Sequence, residues 1–336
     1  MNWGTLLHPL KNLSKIKYFL IAAMMASLIT SHKEKIRNHL GNIISLFILS
    51  YSTANVWGFI QYVRHLLIQP EIEFRLSGFF GMVMSYAYTA VLPLALISFL
   101  CLNPKIAAEL KKTTPSKRLR LIFTPQTLLI LLILSLAALY LTLTRGALLG
   151  ALLILPLLVF FKSKKWAAIL GSSSLLIIAT AVGLSLSNKD FGTRLLLKAN
   201  HQGNSERLAQ NKMGLMAFKE NPIFGIGYRS FEEKGRDIKE RNNLGFLDTA
   251  THAHNNFLEI MGSGGLLSFL SFLAWIFFWL FEVFKTKQWK GTYLAFIAAF
   301  LLMGLFQSTV IDSEYMFTFL ALYALSFALT PAPLKS

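Results

Sequence analysis

Thr251-His252-Ala253-His254-Asn255-Asn256-Phe257-Leu258-Glu259, followed by Met261-Gly262-Ser263-Gly264-Gly265 and a long apolar run, sets the reading of this chain. Two histidines stand at the mouth of a segment long enough for a membrane helix, and just before them lies the one long polar stretch of the sequence. If that helix begins near Asn255, the His254 imidazole sits at its N-terminus. Unpaired N–H groups and the positive end of the helix dipole attract anions there and oppose a second positive charge. A neutral imidazole in such a place can accept a proton, which suits a general base acting on a hydroxyl beside a bound phosphate. On position alone, a capping or interfacial histidine fits as well. His252 falls on the same side of an extended segment, as a metal pair would, with Asp248 or Glu259 as a third ligand. No other ligands cluster nearby, so the metal reading is the weaker one.

The composition agrees with a membrane setting. Of 336 residues, 54% are hydrophobic and only 15% charged, the mean hydropathy is +0.52, and the apolar residues fall in long uninterrupted runs. That is the pattern of a polytopic membrane protein. Lys and Arg number 33 against 16 Asp and Glu, a net charge of +17. Much of the excess lies in short loops, where basic residues fix orientation and meet anionic membrane lipids, so nucleic acid is not the expected partner. A single cysteine, Cys101, excludes a disulfide framework and a thiolate metal cluster. The first apolar run is followed by charge rather than by small residues, so no cleavable signal peptide is expected.

Outward from the two histidines the chain divides into about nine apolar runs, near residues 18–30, 41–63, 76–102, 121–143, 146–161, 166–186, 257–284, 292–310 and 315–330. The basic segment 103–120 belongs in the cytoplasm by the positive-inside rule, and alternation then places Arg145 and the polar stretch 187–251 together on the opposite face. A full crossing by the first run would put the basic N-terminus on that outer face. Either that run does not cross, or further spans precede it. The organisation expected is N-terminal transmembrane helices over 1–186, an external loop lobe over 187–256 and C-terminal transmembrane helices over 257–336. Within the lobe, Ser205 is expected to cap an amphipathic helix over 206–219 with Ala209, Met213, Met216 and Ala217 on one stripe. Asn221-Pro222 ends it, and Phe224-Gly225-Ile226-Gly227-Tyr228 is a turn whose glycines permit close backbone approach. The charges from Glu232 to Arg241 read as a solvated face.

Arginines supply the complementary chemistry. Arg145 sits at a tight external connection, where positive-inside logic disfavours it, and a guanidinium matches a phosphate through paired donors. Arg207, in the first turn of the lobe helix, opposes the helix dipole as a residue placed for local stability would not. Arg229 follows the Gly-Ile-Gly turn. Together with His254 these residues describe a cationic pocket at the membrane surface suited to a diphosphate whose lipid tail stays in the bilayer. The glycines at 262, 264 and 265 read as helix-packing positions. Trp275, Trp279 and Trp289 read as interfacial or lipid-facing aromatics, and Asp312 and Glu314 as solvated hairpin charges more than as groups that fix a sugar hydroxyl or a cation.

Three stretches carry a family resemblance. They are Leu143-Thr144-Arg145-Gly146; Glu206-Arg207-Leu208 with Asn221-Pro222-Ile223-Phe224-Gly225-Ile226-Gly227; and His252-Ala253-His254-Asn255-Asn256-Phe257-Leu258-Glu259 running into Gly264-Gly265. In order and spacing, over roughly the last two-thirds of the chain, they resemble the bacterial O-antigen ligase and polymerase superfamily of membrane glycosyltransferases. The resemblance implies an all-α fold of the membrane C-type glycosyltransferase class, N-terminally short against the family's usual dozen or so spans. It implies a multi-pass protein of the bacterial inner membrane with its site facing the periplasm, working without metal, cofactor or nucleotide sugar. The implied reaction moves a glycan from undecaprenyl pyrophosphate to a sugar hydroxyl of lipid A-core, with Arg145 and Arg207 on the pyrophosphate and His254 as general base or acceptor-orienting group. Arg229, His252 and Asn255 are the further candidates for substrate contact. A polymerase and a protein O-oligosaccharyltransferase share the donor chemistry. A transporter for the lipid-linked sugar and an inactive shortened remnant are readings of a different class.

Overall fold

The computed structural model describes residues 17–69, 74–187, 201–244, 251–286 and 288–329, and every regular element among them is helical. In chain order these are α1 (Lys17–Ser31), α2 (Lys33–Asn38), α3 (Leu40–Ile68), α4 (Val83–Leu102), α5 (Pro104–Lys112), α6 (Lys117–Arg120), α7 (Pro125–Leu141), α8 (Arg145–Phe160) and α9 (Lys164–Ser187). They continue with α10 (His201–Glu220), α11 (Phe231–Arg241), α12 (Asn256–Lys285), α13 (Lys290–Met303) and α14 (Ser313–Leu329). Each of the nine apolar runs overlaps one of these helices, although 76–82 and 304–308 lie outside any helix. Among the described residues α3, α4 and α12 are long and apolar enough to cross a membrane. A fourth candidate arises if 117–123 and α7, which meet at a 68° bend, form one span. The helices α8, α13 and α14 are apolar but shorter. The chain is a multi-pass membrane protein.

Helix α4 is the central post. Every residue from Ser85 to Leu100 is buried, as expected for a helix apolar on all sides, and α7, α8, α13 and α14 pack around it. The apolar run that feeds it begins at Leu76, but the helix starts only at Val83. Residues 74–77 are drawn sideways to the end of α7, where Leu76 N–H donates to the Leu141 carbonyl at 3.1 Å.

Two of the C-terminal tryptophans, Trp279 and Trp289, depart from the lipid-facing role expected of them, while Phe277, Phe278, Phe281 and Phe284 are exposed. Trp279 is fully buried, its Nε1–H donates to Ser326 Oγ at 3.1 Å, and its ring meets those of Phe319 and Tyr323 at 5.1 Å each. Trp289 is buried against Phe99. In a bundle whose surroundings are as apolar as its core, burial gives no advantage to one apolar residue over another. Large aromatics with a partnered N–H then serve as packing residues.

The lobe next to the histidines contains α10 and α11, closed over Met213, Ala217, Ile226, Phe231 and Ile238. Helix α10 begins at His201, so Ser205 lies inside it rather than at its cap, and Arg207 stands in the second turn. The dipole argument for Arg207 therefore loses weight, because that field falls off within the first turn. Helix α11 carries Glu232 and Glu233 in its first turn and Lys239 and Arg241 in its last, in register with its dipole. Asp312 is a further correction. It is mostly shielded from solvent and accepts from Ser85 Oγ at 2.5 Å and from Tyr315 N–H at 3.0 Å, so it ties the α13–α14 connection to α4. Burial holds its carboxyl above the ordinary aspartate range. Glu314 is exposed, as a hairpin charge should be.

The Gly264-Gly265 pair does more than permit close packing. Gly265 has φ 67° and ψ −167°, a conformation essentially confined to glycine, and α12 breaks there. The Phe224–Tyr228 turn lies against this break: a Cβ on Gly225, itself at φ 66°, would sit 2.5 Å from the Gly264 nitrogen. Gly225→Ala and Gly265→Ala are each expected to destabilise the folded protein by about 1–3 kcal/mol or more. Thermal unfolding in detergent measures this, and variants melting with the parent would contradict the close contact.

Candidate functional site

The site is built where the loop 251–255 meets the loop 304–310. Asn255 caps α12: its side-chain oxygen accepts from Phe257 N–H at 2.9 Å and Leu258 N–H at 3.1 Å, and its Nδ2 donates to the Leu305 carbonyl at 3.2 Å. Asn255 N–H donates to Ser308 Oγ at 3.0 Å. Asn256 donates through Nδ2 to Thr309 Oγ1 at 2.8 Å and accepts from Val310 N–H at 3.0 Å, while its own N–H donates to the Gly304 carbonyl. The buried Glu259 carboxylate accepts from Ala253 N–H at 2.7 Å and, at 3.4 Å, from Ser308 Oγ. A short polar loop is thus fixed on both sides by groups that would otherwise be unpaired in an apolar interior.

This scaffold holds His254 at φ 52°, a conformation that costs energy in a non-glycine residue and persists only where the surroundings impose it. Its Nδ1 lies 2.6 Å from Gln307 Oε1. The amide oxygen can only accept, so the bond assigns the proton to Nδ1 and leaves the Nε2 lone pair for a proton from elsewhere. Burial lowers the His254 pKa below the ordinary histidine value; the Gln307 bond opposes this and the Arg207 charge adds to it. His252 packs against it with ring centroids 4.1 Å apart, and its Nδ1 is 2.8 Å from Thr251 Oγ1. Burial first, then the charges of His254, Arg229 and Arg207, push the His252 pKa down to about 3, so it stays neutral. Its Nε2 is buried without a hydrogen-bond partner among the described residues.

Arg207 and Arg229 act on this pair, and Arg145 is reached through Arg207. Arg145 is the first residue of α8, preceded by the buried Thr144 and by Leu143 at φ 51°. It is half-buried, and its guanidinium has no hydrogen-bond partner among the described residues. The positive charges of Arg207 and Arg75 act on it. Arg207 is exposed, touches Met84 Sδ at 3.8 Å, and acts electrostatically on Arg145, His252, His254 and Tyr88. It thus links the α8 arginine to the histidine loop. Arg229, at φ 57°, is paired with Glu232 at 2.9 Å. Several like charges held close together are costly without an anion between them, and guanidiniums suit the oxygens of a phosphate. Asp248 lies outside the described residues. Among the described residues no three His, Cys, Asp or Glu side chains are grouped as metal ligands would be.

Reading the sequence missed three contributors. Gln307 orients His254 from 53 positions away. Arg75, in a stretch of mixed charge, donates through Nε to the Thr142 carbonyl at 2.8 Å and through Nη2 to Thr144 Oγ1 at 3.0 Å, holding the turn that presents Arg145. Glu259, considered only as a metal ligand, is a strut of the loop. The positive φ at Leu143 and His254 is invisible in a sequence without an Asn or Gly to announce it.

A comparison with curated proteins finds no match. Residues 130–273, which carry Arg145, Arg207, His252, His254 and the strut Glu259, match the family model described as O-antigen ligase, and over that stretch the chain is similar to O-antigen ligases.

Proposed function

We propose that this chain transfers a glycan from a polyprenyl diphosphate to a sugar hydroxyl, with undecaprenyl pyrophosphate as donor carrier and lipid A-core as acceptor, on the periplasmic face of the bacterial inner membrane. The match of residues 130–273 to the O-antigen ligase family model supports a glycosyltransferase of the O-antigen ligase or polymerase type. What supports the finer reading is a half-buried Arg145 guanidinium with no partner among the described residues, together with a His254 whose Nδ1 is held by Gln307 and whose Nε2 is left to accept, both within the field of Arg207. The nine-span arrangement with an outer lobe belongs to the same proposal, supported by the basic loops on the opposite side.

In this mechanism Arg145 and Arg207 grip the diphosphate. His254 Nε2 takes the proton of the acceptor hydroxyl as its oxygen forms a bond to the anomeric carbon. The bond from that carbon to the diphosphate oxygen breaks, and its electron pair leaves with the diphosphate, where the guanidiniums stabilise the charge as it develops. Attack from the face opposite the leaving group inverts the anomeric centre. The imidazolium then gives its proton to water or to the departing diphosphate. His252 and Asn255 border the path of the acceptor, and Arg229 lies at its lobe side.

The test is a reconstituted reaction with purified protein in lipid vesicles, glycan-loaded polyprenyl diphosphate and lipid A-core, growing glycan or protein as acceptor, in the presence of chelator. Glycan on lipid A-core supports the proposal, and product only on glycan or protein reassigns the acceptor. Movement of the lipid-linked glycan across the bilayer without product supports a transporter and overturns the proposal.

The pH profile gives a second prediction. A general base must be unprotonated, so activity is lost as pH falls through its pKa. Because the His254 pKa is lowered, the acid limb of kcat/KM should lie below the ordinary histidine value of about 6.5. Arg207→Gln removes a lowering influence and should move the limb upward, whereas Gln307→Leu removes a raising one and should move it downward. Profiles that move the same way in both variants, or not at all, would count against His254 as the titrating base.

A further inference from the structure

We infer that the Pro222–Gly227 turn is a membrane anchor: its tip, Ile223 and Phe224, inserts among the acyl chains at the boundary between hydrocarbon and head groups and sets the height of the site above the bilayer. The break at Gly265 interrupts the hydrogen-bond ladder of α12, and open backbone groups near hydrocarbon must find partners within the protein. The turn supplies them. Leu266 N–H donates to the Pro222 carbonyl at 2.8 Å and Leu267 N–H to the Ile223 carbonyl at 3.3 Å, while Ile226 and Gly227 donate N–H to the Gly262 and Ser263 carbonyls at 2.9 Å each. The turn is therefore fixed to one level of the helix.

That level is set by length. Leu266–Lys285 is the continuous part of α12 beyond the break and ends in the basic segment Lys285, Lys287 and Lys290. At 1.5 Å per residue it covers about 30 Å, the thickness of a bilayer's hydrocarbon core. Gly265, and the turn bonded across it, then fall at the far edge of that core. Ile223 and Phe224 are 60% and 73% exposed, and beside them Leu266, Leu267 and Leu270 on the same helix are 46%, 59% and 53% exposed. The segment 221–228 contains no charged residue, and it ends in Tyr228, a residue type enriched at this depth. In water this would be a contiguous apolar patch of the kind soluble surfaces avoid. Against a bilayer it prolongs the lipid-facing side of α12.

The consequence concerns the site. Helix α10 ends just before the turn and α11 begins just after it, so the anchor carries Arg207 on one side and Arg229 on the other. Asn256–Gly264 rises about 13 Å above the break if it runs along the membrane normal, and less if tilted. His254 therefore lies within or just beyond the head-group layer, the level of a lipid diphosphate.

The experiment places single nitroxide labels on Ile223→Cys, Phe224→Cys, Leu267→Cys and Arg236→Cys in a Cys101→Ala background. The proteins are reconstituted in phosphatidylcholine–phosphatidylglycerol vesicles, and collision with oxygen is compared with collision with a water-soluble nickel complex. Labels at 223 and 224 should resemble the one at 267, open to oxygen and shielded from nickel, and differ from the one at 236 on α11. Labels at both 223 and 224 as accessible to nickel as the one at 236 would overturn the anchor. No transfer activity enters this readout, so its failure is separate from failure of the proposed reaction.

Discussion

Replacing His254 with alanine is expected to lower kcat for glycan transfer by about 10²–10⁴-fold, the usual contribution of a positioned general base, while membrane insertion and yield stay near those of the parent. Among the described residues the imidazole makes one side-chain hydrogen bond, to Gln307, and its loop is held by Asn255, Asn256 and Glu259. Its loss should therefore remove chemistry more than structure. Relief of the positive φ adds nothing, since alanine tolerates that region no better than histidine. Donor binding should change little, because the diphosphate is assigned to the arginines. A variant with near-parental kcat would remove His254 from the reaction.

Arg145→Ala is the second large effect, about 10²–10³-fold in kcat, in the range for loss of one preorganised donor to a developing negative charge. Arg145→Lys separates charge from shape. A lysine keeps the charge but cannot offer two donors in a fixed plane, so it should recover only part of the loss. Full recovery by lysine would mean that the residue supplies field alone. Folding is a smaller concern, because the guanidinium supports no other described group and the turn beneath it is held by Arg75 through Thr142 and Thr144.

What the sequence disclosed follows from how far each signal reaches along the chain. The start of α12 and the position of His254 were legible because an N-cap, the helix it caps and the residue before it are neighbours. Asn255 caps where an asparagine ahead of an apolar run should. The helical character of the apolar runs was legible for the same reason. Gln307 was not, because nothing in a short polar segment between two apolar runs marks it as a partner for a residue 53 positions earlier. Arg75 escaped notice because its partners, the Thr142 carbonyl and the Thr144 hydroxyl, lie on another connection. Gly265 was legible as a close-packing position but not as a break, because a glycine pair in an apolar run does not disclose its backbone conformation. The Phe224–Tyr228 turn packs against it, and the break itself shows only in the φ and ψ of Gly265. Asp312 looked solvated because its burial depends on Ser85, far upstream.

The central claim is that Arg145 and Arg207, on helices far apart in sequence, hold the same diphosphate. The measurement that tests it most directly is the binding of undecaprenyl diphosphate without glycan to the parent, Arg145→Ala, Arg207→Ala and the double variant in nanodiscs, with undecaprenol as the uncharged control. Each single loss should weaken diphosphate binding and leave undecaprenol unaffected, and the double loss should depart clearly from the sum of the singles, as it does for groups that share one ligand. Diphosphate bound as tightly by the double variant as by the parent, or single losses that simply add, would contradict the account.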